Sequence, residues 1–373
     1  MRLSHLLSLA LAACASAQSL MDVLAANQGN LSTLSTLLQT VPDVVQALST
    51  AQNVTILAPS NDAFARLMAR NPRSSELTRN PRLLTGVLQY HVLVGRVPAS
   101  DFSATPRFPP TLLDTPFANV TGGQRVQLTL VNNTAMVFSG YKQAAMVVTA
   151  DVAFSGGVIH IIDNVLTVPA NPAQTAINTG LTSLAGALTT AQLADGINSL
   201  TDITIFAPSN DAFEAIGSAV GALSQQTLAN ILAYHVLSNQ IQFSTSLIAA
   251  GNPATFMTAQ GTNITIRREN GALFVNSARV LIPDILTTNG VVHVIDNVLN
   301  PSNATVAPDT GAATQAPAFA GVTSVINSPF TTGIVPASTF VPANVPLNAG
   351  AASTVSMATL LIAGGAALLA ARL

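Results

Sequence analysis

The sequence predicts an α+β fold repeated twice along one chain, each copy a set of helices packed on a mainly antiparallel sheet. Three observations predict it. The first is duplication: Thr55-Ile56-Leu57-Ala58-Pro59-Ser60-Asn61-Asp62-Ala63-Phe64 returns as Thr204-Ile205-Phe206-Ala207-Pro208-Ser209-Asn210-Asp211-Ala212-Phe213, with nine of ten positions identical. Tyr90-His91-Val92-Leu93 likewise returns as Tyr234-His235-Val236-Leu237. Gly157-Val158-Ile159-His160-Ile161-Ile162-Asp163-Asn164-Val165-Leu166 returns as Gly290-Val291-Val292-His293-Val294-Ile295-Asp296-Asn297-Val298-Leu299. The offsets of 149, 144 and 133 residues make each unit far too long for a solenoid repeat, and long enough to enclose its own core. The second observation is the Val/Ile/Thr-rich runs at 54–57, 126–131, 146–152 and 158–165, which read as strands. The third is helical spacing at Leu31, Leu34, Leu37 and Leu38, at Leu83, Leu84, Val87 and Leu88, and in the second copy at Leu181, Leu184 and Leu188. Two separate domains on one string are expected.

Taken in chain order, Arg2, the apolar run from Leu3 to Ala13 and the small residues Ala15-Ser16-Ala17 read as a secretory signal over residues 1–17. Leu11-Ala12-Ala13-Cys14 also fits a bacterial lipobox, which the far end of the chain disfavours. Domain 1 is expected over 18–169 and domain 2 over 170–300. Residues 301–348 are Pro/Thr/Ala/Ser-rich with Asp309 as the sole charge, and are expected to form an extended, O-glycosylated stalk. The apolar, uncharged stretch from Met357 to Ala371 is short for a membrane span. With the spacer Ala351 to Ser356 and the small residues Asn348-Ala349-Gly350, it reads as a GPI-attachment signal over 349–373, removed after attachment at Asn348 or Gly350. A retained single-pass helix is the plainer alternative.

Composition narrows the function classes. The only cysteine, Cys14, leaves with the signal, so the mature chain has neither disulfides nor thiol chemistry. Without Arg2 and Arg372 it carries 12 basic and 16 acidic groups, a formal charge of −4, which disfavours nucleic acid as a partner. Six Asn-x-Ser/Thr sequons, at Asn30, Asn53, Asn119, Asn132, Asn263 and Asn303, suit a glycosylated ectodomain. No metal, phosphate, dinucleotide or calcium motif is present, so no cofactor is expected.

Within the first repeated box, Thr-Ile-Leu/Phe reads as buried strand, Ala-Pro ends it, and Ser-Asn-Asp offers side-chain oxygens to the free amides of a helix start. This box, the central Tyr-His and the closing Gly-Val-Ile/Val-His-Ile/Val-Ile-Asp-Asn-Val-Leu together resemble the fasciclin domain family, and the resemblance covers about residues 20–300. It implies a β-sandwich wedge with flanking helices in each copy, and a non-catalytic role in adhesion or in attachment to wall or matrix. With the stalk and the anchor signal, the whole chain resembles the cell-surface fasciclin-like proteins of fungi and plants, and the lack of Ala-Pro runs favours a fungus. In animal members of the family, integrin binding has been attributed to the Tyr-His segment and to a Pro-Asp-Ile motif. Carried over, these are Tyr90 and His91, Tyr234 and His235, and Pro283, Asp284 and Ile285; in domain 1 only Asp151 aligns with the second motif. The implied partners are cell-surface or wall/matrix glycans and proteins, with homophilic contacts as one form.

The residues themselves leave two readings open at Tyr90/His91 and Tyr234/His235: a structural pair or a recognition surface. His160 and His293 lie inside apolar strands and read as hydrogen-bonded core histidines. Ser60, Asp62 and His91, repeated as Ser209, Asp211 and His235, have triad composition but lack the strained nucleophile turn of a hydrolase. Arg66, Arg70, Arg73, Arg79 and Arg82 have no counterpart between Glu214 and Thr227. They read as a solvated face or as a patch for anionic wall polysaccharide or lipid headgroups.

Overall fold

The computed structural model describes residues 18–70, 77 and 79–335, so the expected signal over 1–17, Arg73, the expected attachment residues Asn348 and Gly350 and the expected tail over 349–373 lie outside the described residues. Domain 1 begins with three short helices, α1 (Leu20–Ala26), α2 (Gln28–Gln39) and α3 (Pro42–Thr50). Ser19 starts α1 with a capping box, its hydroxyl accepting from Asp22 N while the Asp22 carboxylate accepts from Ser19 N. Pro42 supplies a pre-set φ at the first turn of α3. Their buried Leu20, Leu24, Leu31, Leu34, Leu38 and Leu48 cover one face of a sheet. That sheet runs β2-β1-β6-β5-β4-β3, with β1 (Val54–Pro59), β2 (Val92–Val94), β3 (Gln127–Val131), β4 (Thr134–Phe138), β5 (Ala144–Phe154) and β6 (Gly157–Ile162). Helix α4 (Asn61–Arg70) follows β1 and α5 (Pro81–Tyr90) leads into β2.

The expected antiparallel sheet has a parallel pair at its centre, β1 beside β6, with Leu57 opposite His160. This pairing requires glycine at its entry: a Cβ on Gly157 would lie 1.9 Å from Val54 O. Strand β5 is long and bulged, with register shifts between Val147 and Val152, and it curls so that its start pairs with β4 and its end with β6. A second core lies on the opposite side of the sheet, around Leu57, Tyr90, Leu93, Leu113, Val126 and Leu128. Asn132 and Asn133, at φ 50° and 61°, make the tight β3–β4 hairpin turn.

Domain 2 repeats the plan. Helices α6 (Pro172–Asn178), α7 (Thr182–Thr190) and α8 (Ala194–Ser199) precede β7 (Ile203–Pro208), α9 (Asn210–Ala215), α10 (Gly217–Val220), α11 (Gln225–Tyr234), β8 (Val236–Leu237) and α12 (Ser244–Ala249). Strands β9 (Ala254–Met257), β10 (Asn263–Glu269), β11 (Ala272–Val275), β12 (Ala278–Thr287) and β13 (Gly290–Ile295) complete the sheet β8-β7-β13-β12-β11-β10-β9.

Two expectations need correction. The domains are not independent beads. Asn119 N donates to Thr288 O at 2.6 Å, Gln124 Nε2 to Thr287 O at 2.9 Å and Asn178 Nδ2 to the Tyr141 hydroxyl at 3.1 Å, and Phe108 stacks on Phe243 at 4.0 Å between ring centroids. Nor is the segment after residue 300 extended from its start. Residues 301–335 run across domain 2 as a strap: Asn297 Nδ2 and Asn300 Nδ2 hold Ala316 O and Ala318 O, Val325 N donates to Glu214 O, and Phe330 packs edge-on against Phe213. The reason is an apolar cleft between α9 and α11. In domain 1 the matching cleft, lined by Phe64, Leu67, Leu84 and Val87, is also lined by Leu77 from the segment between α4 and α5. From Phe213 to Tyr234 domain 2 is five residues shorter than domain 1 from Phe64 to Tyr90, and Phe319, Val322, Phe330 and Ile334 of the strap fill the space. Gly186 and Gly217 admit it, since a Cβ would meet Phe330 O at 1.7 Å and Val325 Cγ2 at 2.1 Å.

Candidate functional site

The repeated polar residues form one hydrogen-bonded frame in each domain. Ser60 and Ser209 accept from Ala63 N and Ala212 N at 3.2 and 3.1 Å, capping the helices that follow β1 and β7. The next residue ties two helices together: Asn61 Oδ1 accepts from Thr33 N at 2.9 Å while its amide donates to Gly29 O at 3.0 Å, and Asn210 repeats both bonds with Ser183 N and Gly180 O.

His91 and His235 occupy the C-terminal caps of α5 and α11, at 3% and 2% exposure. In each, Nδ1–H donates to the carbonyl four residues back, Val87 O at 2.7 Å or Ile231 O at 2.8 Å, because Nε2 accepts from Leu166 N or Leu299 N at 2.9 Å. The ring thus joins a helix end to the chain leaving the last strand. Burial pushes both imidazoles down to about 4, partly opposed by the carbonyl bond, so both are neutral at pH 7. Tyr90 and Tyr234 are fully buried; their hydroxyls donate to Arg125 O and Asn263 O at 3.0 Å, and burial raises both phenol pKa values.

His160 and His293 use the opposite tautomer. Their Nδ1 atoms accept from Asp151 N at 3.2 Å and Asp284 N at 3.3 Å, and Nε2–H donates to Val97 O or Gln242 O at 2.8 Å. Each aspartate sits in the long-strand bulge with positive φ, 58° at Asp151 and 63° at Asp284. Its carboxylate holds the start of a facing helical turn, Ala99 N at 2.9 Å in domain 1 and Ser244 N at 2.7 Å plus Ser244 Oγ at 2.5 Å in domain 2.

This geometry corrects the expected contact residues. Tyr90, His91, Tyr234, His235, Pro283, Asp284 and Ile285 are all buried, and none presents its side chain to a partner in the folded chain. The Tyr-His pair is the structural pair of the two readings, and Pro283 and Asp284 lie beneath domain 1. There the 3-10 turn Gly140–Lys142 sets Lys142 on the bulge: its side chain is 1% exposed, its ammonium donates to Pro283 O, and burial lowers its pKa to about 8 against the opposing pull of Asp284. The matching bulge of domain 1 is open, with Val148, Thr149, Ala150 and Asp151 exposed. Of the arginines, Arg70, Arg79 and Arg82 are exposed, Arg66 donates to Asp163 O, and Arg82 stands 6.0 Å over the Phe117 ring. Sequence reasoning missed Lys142, although it is the only lysine in the chain and lies in Ser139-Gly140-Tyr141-Lys142-Gln143, a stretch that shortens to Asn276-Ser277 in the second copy.

The fasciclin domain family matches residues 29–169 and 179–301, and the chain belongs to that family. It is 34% identical to a fasciclin-like arabinogalactan protein of Arthroderma benhamiae over 84% of this chain and 74% of the relative. It is 31% identical to the fasciclin-like arabinogalactan protein elcF of Phaeosphaeria nodorum over 79% and 92%, and 28% identical to human periostin over 67% and 28%. Among solved structures, it resembles a FAS1 domain pair from the insect cell adhesion molecule fasciclin I, at 21% identity and a TM-score of 0.35, covering 74% of this chain and 98% of the other. No helix among the described residues is long and apolar enough to cross a membrane.

Proposed function

We propose that this chain is a glycosylated adhesion protein of the fungal cell surface, held on the outer face of the plasma membrane or in the wall through a GPI anchor at Asn348 or Gly350. It attaches cells to one another or to wall and matrix glycans and proteins, homophilic contacts included. The observation that carries the reading is the pair of fasciclin domains, joined side by side, in which the polar side chains that recur in both copies serve the scaffold. We read it as non-enzymatic. All eight ring nitrogens of His91, His160, His235 and His293 are engaged by main-chain groups, and the Ser60 and Ser209 hydroxyls cap helices, so the Ser-His hydrogen bond of a triad does not form. Contact then falls to exposed surface, foremost the open domain 1 bulge with Val148 and Asp151.

A second reading is a carbohydrate-binding or wall-organising surface module that works through the domain 1 arginine patch, where the exposed guanidiniums of Arg70, Arg79 and Arg82 suit the phosphate and carboxylate of anionic wall polysaccharide or lipid headgroups. The test is adhesion of cells displaying the intact chain, before and after phosphatidylinositol-specific phospholipase C. Release of the protein together with loss of adhesion is expected, and surface protein that resists release overturns the anchor. An Asp151→Ala change that lowers adhesion supports the bulge. Binding that instead falls on replacing the arginines, and that in the wild type falls as salt rises but in the variant does not, supports the second reading.

A further inference from the structure

The six sequons are not alike in the folded chain. Asn30, Asn53, Asn132 and Asn263 are exposed. Asn119 is half-buried at the domain joint, and domain 2 engages its side-chain amide nitrogen, its side-chain oxygen and its main-chain N–H. Its Nδ2 donates to Leu200 O at 3.0 Å, its Oδ1 accepts from Thr201 Oγ1 at 3.0 Å and its main-chain N–H donates to Thr288 O. The hydroxyl residue of the same sequon is engaged too: Thr121 N donates to Asp202 Oδ1 at 2.8 Å and Thr121 Oγ1 to Asp202 Oδ2. Gln124 and Lys142 close the joint further along.

We propose that glycosylation of Asn119 and closure of the domain joint exclude one another, so that Asn119 is bare in the docked chain and a glycan there holds the two domains apart. N-glycosylation forms a bond from Asn119 Nδ2 to the anomeric carbon of a lipid-pyrophosphate-linked sugar. The sugar–pyrophosphate bond breaks, the lipid pyrophosphate leaves, and one Nδ2 proton passes to base. The transferase needs the amide nitrogen and the Thr121 hydroxyl free at once, and the closed joint holds both against the turn 200–202. A sugar ring already in place would sit within one bond of an atom 3.0 Å from Leu200 O, where domain 2 has to dock. Joint closure therefore competes with the transferase for the same two side chains. The proposal does not depend on the adhesion reading.

The experiment uses the full chain secreted from a eukaryotic host. Occupancy at each sequon is read by glycopeptide mass spectrometry with exposed Asn132 as the reference, and joint closure is read by small-angle scattering after size exclusion. The wild-type chain is expected to be compact, with Asn132 occupied and Asn119 bare. A joint-weakened variant, Asp202→Asn with Gln124→Leu, is expected to carry Asn119 glycan in the majority of molecules and to show a larger radius of gyration, with Asn132 unchanged. If both forms occur in one preparation, the Asn119 glycan has to travel with the extended fraction. A compact species bearing Asn119 glycan, or an extended variant in which Asn119 stays bare, overturns the proposal.

Discussion

Acidification should loosen the chain through two histidines placed alike in its two domains. His91 and His235 are buried, neutral and held near pKa 4, whereas an unfolded chain returns them to about 6.5. Between those values the unfolded state binds more protons than the folded one, so stability is fully present above about pH 6.5 and falls as pH drops toward 4. The ratio of the two protonation equilibria gives a loss of about 1.4 kcal/mol per histidine at pH 5.5 and about 2.5 kcal/mol at pH 4.5. For domains of this size the latter lowers the melting midpoint by about 8 °C. His293, whose pKa burial also lowers, adds in the same direction, and Asp296, raised by burial, opposes. Differential scanning calorimetry of the wild-type chain and of His91→Gln, at pH 7.0, 5.5 and 4.5, isolates one ring. The variant melts lower at pH 7, because it loses the bridge between Val87 O and Leu166 N, but its midpoint should depend less on pH than that of the wild type. A wild-type midpoint that does not move between pH 7.0 and 4.5, or a variant with an unchanged pH slope, refutes the argument.

Further outcomes follow from packing. Gly290→Ala places a Cβ 1.9 Å from Ile203 O and should abolish secretion of folded protein, as should Gly157→Ala against Val54 O; normal yield and circular dichroism of either would show that the parallel pair tolerates separation. Phe330→Ala removes the ring that packs on Phe213 and should cost about 3 kcal/mol in the unfolding of domain 2, read by urea denaturation; an unchanged midpoint would mean that the strap is not part of that cooperative unit. Glycans should be found at Asn30, Asn53, Asn132 and Asn263, whereas Asn303, whose amide donates to Ala318 O within the strap, should be bare in peptide mapping; a fully occupied Asn303 would show that this bond is not kept in the secreted protein.

Much of the fold is legible because its local signals agree. The repeated Thr-Ile-Leu/Phe run is a buried strand, and Ser60 and Ser209 cap the helices that follow. The core reading of His160 and His293 also holds, since a polar ring inside an apolar strand has to find main-chain partners. The parallel β1–β6 pair is hidden because alternation along a strand does not say which neighbour it meets, and only the glycine opening the last box hints at so close an approach. The burial of Tyr90 and His91 is equally hidden: the sequence leaves a structural pair and a recognition surface both open until the strand exit at Leu166 closes over the ring. The strap escapes for a different reason. Its composition is that of a spacer, and Phe319, Val322, Phe330 and Ile334 acquire meaning only against a cleft that two glycines, distant in sequence, leave open.

The strap also sets how far the domain pair can stand from whatever holds the chain's end. With anchorage at Asn348 and a spacer free from residue 301, a fully stretched chain would reach about 165 Å, at roughly 3.5 Å per residue. With residues up to 335 lying on domain 2, only 13 residue steps separate the last of them from Asn348, a reach of at most about 45 Å. Under the proposed anchorage, the domain pair stays within that distance of its attachment point and meets a partner only where the two surfaces are pressed nearly together.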